Sequence, residues 1–259
     1  MKSPYAGLWL IVALALAIFL TYSFSQDISL GSWTVKKAPF HDALLAEEEA
    51  MEDSLSLDSL YASTPVEEQT VDSVPKSILI IGDSMTFNLA LRLAQYAKQN
   101  GHTIHAVNWD SSNTKIWAES DTLEYFMKKY DADFVFISLG SNELYFKKPE
   151  TRLPYVKRIL EVIDTVPYVW IGPPNWEEDT GVNDMLQRAC RRGSFFRTDG
   201  MKLARKKDKI HPTRQTSAEW IDSVMRWMPA SAHPILADRP DSTVGRVNPN
   251  IVFLKALNK

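Results

Sequence analysis

The chain reads as an α/β protein built on a parallel sheet, and three observations predict it. Apolar runs of four to seven residues recur at 78–81, 103–109, 134–139 and 168–171. Segments with helical apolar spacing lie between them. Several of the runs stop abruptly at small or polar residues, as at Gly82-Asp83-Ser84, Gly140-Ser141-Asn142 and Gly172-Pro173-Pro174. Strands alternating with helical segments imply βαβ units around a parallel sheet, and right-handed crossovers put helices on both of its faces.

Taken in order, Ile78 opens a buried strand that runs to Ile81, and a helix follows over 87–99, stopped by Asn100-Gly101. A second strand spans 103–109 and a helix 116–130. The third strand, 134–139, precedes a helix over 153–165. The fourth is 168–171, then come a helix over 183–191, a short fifth strand over 194–197 and a last helix over 216–228. Residues 229–259 carry Pro229, Pro234, Pro240 and Pro249 and read as extended or coil, with room for a late strand over 251–254. No function is read from this tail.

The front of the chain differs. Residues 7–24 form an uncharged run rich in Leu, Ile, Ala and Val, just long enough to span a bilayer. Lys2 before it favours a cytoplasmic amino end. The expectation is a single transmembrane anchor over 1–24, with a cleaved signal segment as the rival; Ser23-x-Ser25 matches the small-residue cleavage pattern poorly. Either puts the rest outside the cytoplasm: membrane-anchored (periplasmic if Gram-negative), or secreted if the segment is cleaved. Residues 25–75 read as an acidic spacer, since Glu47, Glu48, Glu49, Glu52 and their neighbours have no nearby Lys or Arg. A docking helix over 43–60 is the sharper reading. The regular domain then covers 76–228.

With 259 residues, 45% hydrophobic, the composition is that of a globular protein. A net charge of −3 gives no reason to expect nucleic-acid binding. The single cysteine, Cys190, excludes an intramolecular disulfide and any multi-cysteine metal site, and reads as a packed thiol. His41, His102, His105 and His233 show no metal-ligand spacing, and no phosphate-binding glycine loop appears, so neither metal nor cofactor is expected.

The polar groups at the strand ends carry the chemistry. Ligands of open α/β sheets sit outside the carboxyl ends of the strands. Ser84 lies at a strand end and a helix start, and its hydroxyl needs a base to become a nucleophile. His211, in Asp208-Lys209-Ile210-His211-Pro212, is the best base, and Asp208 can hold its second nitrogen. The Ser84 N–H and the Asn142 side-chain amide are placed to bind an oxyanion. Each segment alone is equally a turn or a helix cap. Their coincidence at successive element boundaries favours a catalytic site.

These residues resemble the SGNH hydrolase superfamily, the GDSL-like esterases and lipases. The likeness covers about 76–228. Gly82-Asp83-Ser84 matches the first block, Gly140-Ser141-Asn142-Glu143 the third, and Asp208-Lys209-Ile210-His211 the last. The resemblance implies a flavodoxin-like three-layer α/β/α sandwich with a five-stranded parallel sheet. It also implies a catalytic Ser84, His211 and Asp208. The family's second block contributes a glycine N–H to the oxyanion hole, but 109–114 has no glycine; Ser112, or its neighbour Ser111, stands nearest. Met85 replaces the Leu of the GDSL pattern, a volume-conserving change. The implied activity is a serine esterase on small carboxylic esters, with O-acetyl groups on extracellular glycan the implied substrate class by analogy. Trp109, Trp117 and Trp176 are candidates to stack on sugars. The alternatives are an O-acyltransferase to a glycan using the same triad, a lipid esterase, and a non-catalytic glycan-binding scaffold on the same fold.

Overall fold

The computed structural model describes residues 6–24, 28–30, 33–35 and 70–255. The chain divides into two units, 1–64 and 65–259. In the first, helix α1 covers Ala6–Phe24, and strands β1 (Ile28–Leu30) and β2 (Trp33–Val35) pair antiparallel, Ile28 opposite Val35. Among the described residues no helix is long and apolar enough to cross a membrane. At 1.5 Å per residue α1 spans about 28 Å, short of the roughly 30 Å hydrocarbon layer. The transmembrane helix expected at the amino end is therefore not found. Most of the acidic spacer, the docking helix proposed over 43–60 and His41 lie outside the described residues.

The second unit is built on β3 (Ser77–Gly82), β4 (Thr103–Trp109), β5 (Phe134–Ser138), β6 (Tyr168–Ile171), β7 (Phe195–Phe196) and β8 (Asn250–Leu254). All pair parallel in the order β7-β6-β5-β3-β4-β8. The sheet has six strands, not the expected five. The sixth comes from the tail: β8 lies along β4, with Ala106 opposite Ile251.

Residue alternation makes the layers. Ile78 and Ile80 point to one face of β3, where they pack with Leu89 and Leu93 of α2 (Thr86–Gln99) and Trp220 and Val224 of α7 (Arg214–Trp227). Leu79 and Ile81 point to the other. There they meet Trp117 of α3 (Thr114–Ala118), Phe126 of α4 (Thr122–Tyr130), Val156 and Ile159 of α5 (Leu153–Ile163) and Leu186 of α6 (Val182–Ala189). Both faces of each central strand are buried, which is why these runs read as continuously apolar. Each fully buried Leu or Ile contributes about 1.5–3 kcal/mol. Helices on both faces of a parallel sheet form a three-layer α/β/α arrangement.

One expected helix, 116–130, is two. The Ser120 hydroxyl donates to the Trp117 carbonyl at 3.3 Å, and the chain restarts at Asp121, whose carbonyl accepts the Tyr125 N–H at 2.9 Å. A serine that turns back on its own backbone competes with helix propagation.

Successive strands leave β3 in opposite directions, β4 on one side and β5 on the other. That reversal opens a crevice at the carboxyl ends of β3 and β5, where such sheets hold ligands.

Candidate active site

Ser84 stands in that crevice because of how β3 ends. A Cβ on Gly82 would run into the Ser138 carbonyl and the Thr86 hydroxyl, so only glycine lets the backbone pass so close to β5. The Asp83 N–H then donates to the Ser138 carbonyl at 3.1 Å. The Asp83 carboxylate turns back to accept the Met85 N–H at 3.0 Å, and its carbonyl accepts the Thr86 N–H at 3.1 Å. This fixes the turn that presents Ser84, half-buried, just ahead of α2. Asp83 itself is fully buried. Burial pushes its carboxyl up to about 7, against the pull of the Met85 N–H.

His211 arrives from a second tight turn. Arg205 and Pro212 bridge antiparallel, the Lys206 N–H donates to the His211 carbonyl at 2.8 Å, and Lys209 takes a left-handed φ of 61°. Asp208 Oδ1 accepts the N–H groups of Ile210 and His211, each at 2.9 Å. Its Oδ2 lies 3.0 Å from His211 Nδ1. His211 Nε2 lies 2.8 Å from Ser84 Oγ. With Nδ1–H donating to the carboxylate, Nε2 is left to accept the serine proton. The His211 and Ile210 N–H groups, with the imidazole N–H, hold the Asp208 carboxyl down to about 2. The histidine therefore keeps an ionised partner at any pH where an imidazole titrates.

The opposite wall is the loop after β5. Asn142, half-buried, donates one side-chain N–H to the Ser112 carbonyl at 2.8 Å, which leaves its second N–H for another acceptor. The Ser84 backbone N–H has no protein partner among the described residues. The two groups have the donor chemistry an oxyanion needs.

Ser112 is fully buried and engaged through every polar group. Its N–H donates to the Trp109 carbonyl at 3.1 Å, its hydroxyl accepts the Trp117 indole N–H at 2.9 Å, and its carbonyl holds Asn142. An oxyanion contact from the Ser112 N–H would be shared with Trp109. What Ser112 does in the structure is orient Asn142.

In the sequence Glu143 stands only as the last residue of a block, yet it ties the two loops together. Its buried carboxylate accepts the Thr114 hydroxyl at 2.5 Å and the Thr114 N–H at 3.2 Å, and Arg152 lies 3.4 Å away. Burial raises its pKa, and the Thr114 hydrogen bonds oppose that. The signal in the sequence is an acid directly after Asn142, with a threonine closing the second-strand loop.

Of the three tryptophans, Trp109 and Trp117 are core residues stacked edge-on at 5.3 Å. They do not face substrate, because their rings fill the layer between β4 and α3. Trp176 is half-buried; its indole N–H donates to the Ser141 carbonyl at 2.8 Å, and exposed Tyr145 packs edge-on against it at 6.5 Å. Cys190 is buried, and burial pushes its thiol up, as a packed thiol requires. His102 is a structural pin, accepting the Lys76 N–H at 3.0 Å and lying 2.8 Å from the Leu236 carbonyl. Among the described residues no group of three or more His, Cys, Asp or Glu side chains is arranged to hold a metal.

No protein-family model matches the chain, and no curated protein matches it. The reading of the site rests on its own geometry.

Proposed function

We propose that the chain is a serine esterase of the SGNH type. The single observation that carries this reading is the relay Asp208 Oδ2–His211 Nδ1 at 3.0 Å and His211 Nε2–Ser84 Oγ at 2.8 Å. A hydroxyl, a base and an orienting carboxylate in line within hydrogen-bond reach are what nucleophilic acyl transfer needs.

In the proposed reaction His211 Nε2 takes the Ser84 proton as Oγ attacks the ester carbonyl carbon. Negative charge moves to the carbonyl oxygen, where the Ser84 N–H and the free N–H of Asn142 meet it, with the Ser112 N–H as a shared third donor. The carbon–oxygen bond to the alcohol breaks, and the imidazolium returns the proton to the leaving oxygen. Water, deprotonated by His211, then attacks the acyl-serine; the acyl–Oγ bond breaks, the imidazolium returns its proton to Ser84 Oγ, and the acid leaves. If a sugar hydroxyl replaces that water, the same residues make an O-acyltransferase.

Small O-acetyl groups on extracellular glycan are the proposed substrate class. Exposed Tyr145 beside Trp176, adjoining the Asn142 loop, supports a sugar ring near the site. Export remains part of the proposal, through the uncharged helix Ala6–Phe24 acting as a cleaved leader. The mass of the mature amino terminus tests it.

The test is hydrolysis of acetyl and long-chain p-nitrophenyl esters, and of an acetylated oligosaccharide with and without a glycan acceptor. Acetyl esters are expected to be cleaved, and Ser84→Ala to lower the rate at least about four orders of magnitude. Undiminished activity in that variant would sink the mechanism.

A further inference from the structure

A groove of about 320 Å³ runs along the face that α2 and α7 share. The two helices lie side by side and point the same way. Asn88 and Ala218 line the groove together, while farther along Arg92 Nε donates to Asp222 Oδ1 at 2.6 Å and the Tyr96 hydroxyl reaches the same oxygen at 3.1 Å. The leading ends of these helices are the ends that carry the relay: Ser84 stands two residues before α2, and His211 three residues before α7. Asn88, in the first turn of α2, and Arg214, the first residue of α7, are the groove residues nearest the relay along the chain.

The groove is positive. Asp222, outside the lining, is covered by both Arg92 and Arg239. Arg214 and Arg246 also line the groove, and neither makes a hydrogen bond or ion pair among the described residues. Glu219, on α7, is not part of the lining and accepts from Gln215 at 3.1 Å. In a chain of net charge −3, this sets unneutralised cations along the helices that follow Ser84 and His211.

The tail holds Arg246 there. Asn100 clasps Asp238 through two hydrogen bonds of 2.9 Å, Lys98 donates to the Val244 carbonyl at 3.3 Å, and Gln95 donates to the Gly245 carbonyl at 2.7 Å. Gly245 takes a left-handed φ of 64°, which turns the chain over the groove just before Arg246.

We propose that this groove binds an anionic group, carboxylate or phosphate, of the ester whose carbonyl sits at Ser84. The inference rests on the esterase reading and names the substrate class within it. Counting 1.5 Å per residue along α2 from Ser84, the charge would lie roughly 6–15 Å from the scissile bond. A planar arginine fork suits either anion.

The experiment compares kcat/KM of the full-length chain on three acetylated oligosaccharides of equal length: a neutral xylan fragment, an oligogalacturonide and a phosphorylated oligosaccharide. p-Nitrophenyl acetate serves as the reference. The expected result is a preference of roughly tenfold or more for one or both anionic esters at low salt, weakening as salt rises. Arg214→Gln and Arg246→Gln are each expected to cut that preference severalfold, mainly through KM, while Arg226→Gln, exposed at the far end of α7, leaves it alone. The galacturonide and phosphate arms tell which anion is taken. Equal rates on neutral and anionic esters, or a preference untouched in both groove variants, overturn the proposal while leaving the esterase reading intact. Failure to cleave even p-nitrophenyl acetate overturns both.

Discussion

The two oxygens of Asp208 have separate roles. Oδ1 caps the turn through the Ile210 and His211 N–H groups, and Oδ2 faces His211 Nδ1. Asp208→Asn can keep the cap with its carbonyl oxygen, but its amide would then donate to Nδ1 and force the proton onto Nε2. His211 would face Ser84 as a donor and lose its role as base. We expect kcat to fall about 10²–10⁴-fold with little change in thermal stability, read by steady-state kinetics beside a melting curve. In the proposed mechanism Asn142→Ala removes one oxyanion donor and should cost about 10²–10³ in kcat with KM nearly constant; a pure KM effect would place Asn142 in ground-state binding instead. Ser84, Asn142, Asp208 and His211 were legible in the sequence because side-chain chemistry and position at an element boundary both mark them. Ser112 stands in the sequence only as the residue nearest the missing glycine, because the use of a main-chain N–H depends on backbone angles such as the φ of 59° at Ser111, which residue type does not announce. Burial likewise decided the tryptophans: Trp109 and Trp117 share an apolar environment that only the folded layers reveal.

At the scale of elements, the strands and helices from β3 to α7 follow from local pattern, since each buries a run or stripe visible in its own residues. The sixth strand does not. Asn250–Leu254 is short, follows Pro249, and pairs with β4 across most of the domain, where Trp109 donates to the Lys255 carbonyl at 3.2 Å. Nothing local marks that partner. The same long reach ties the tail to α2 through Asn100, a buried residue that also donates to the Tyr96 carbonyl at 2.9 Å. Asn100→Ala strands the Asp238 N–H and carbonyl, while the Tyr96 carbonyl keeps the Asn100 backbone N–H. It should cost about 2–3 kcal/mol in urea unfolding and speed proteolysis after residue 236. An unchanged cleavage rate would mean the tail is held mainly by β8.

For the whole molecule, the buried acids beneath the site make stability depend on pH. Asp83 sits at about 7 in the folded chain against an ordinary 3.8, so the folded state binds that proton more tightly than the unfolded one. Its contribution is fully present below about pH 4 and is lost as pH rises through 7. Asp83→Asn cannot ionise. Its melting temperature relative to the parent should therefore climb between pH 4.5 and 8, by an amount worth up to a few kcal/mol. A flat difference would show that Asp83 is ionised throughout. The three-layer arrangement itself requires the strand-to-helix turns to gather at one edge of the sheet, and that is what brings residues 84, 208 and 211 together at the edge where the loop carrying 142 follows β5. The most direct test of the catalytic reading is labelling of the native protein with a fluorophosphonate, followed by peptide mapping. The account predicts one adduct, on Ser84, lost in both Ser84→Ala and His211→Ala. An adduct on any other residue, or undiminished labelling without His211, would contradict it.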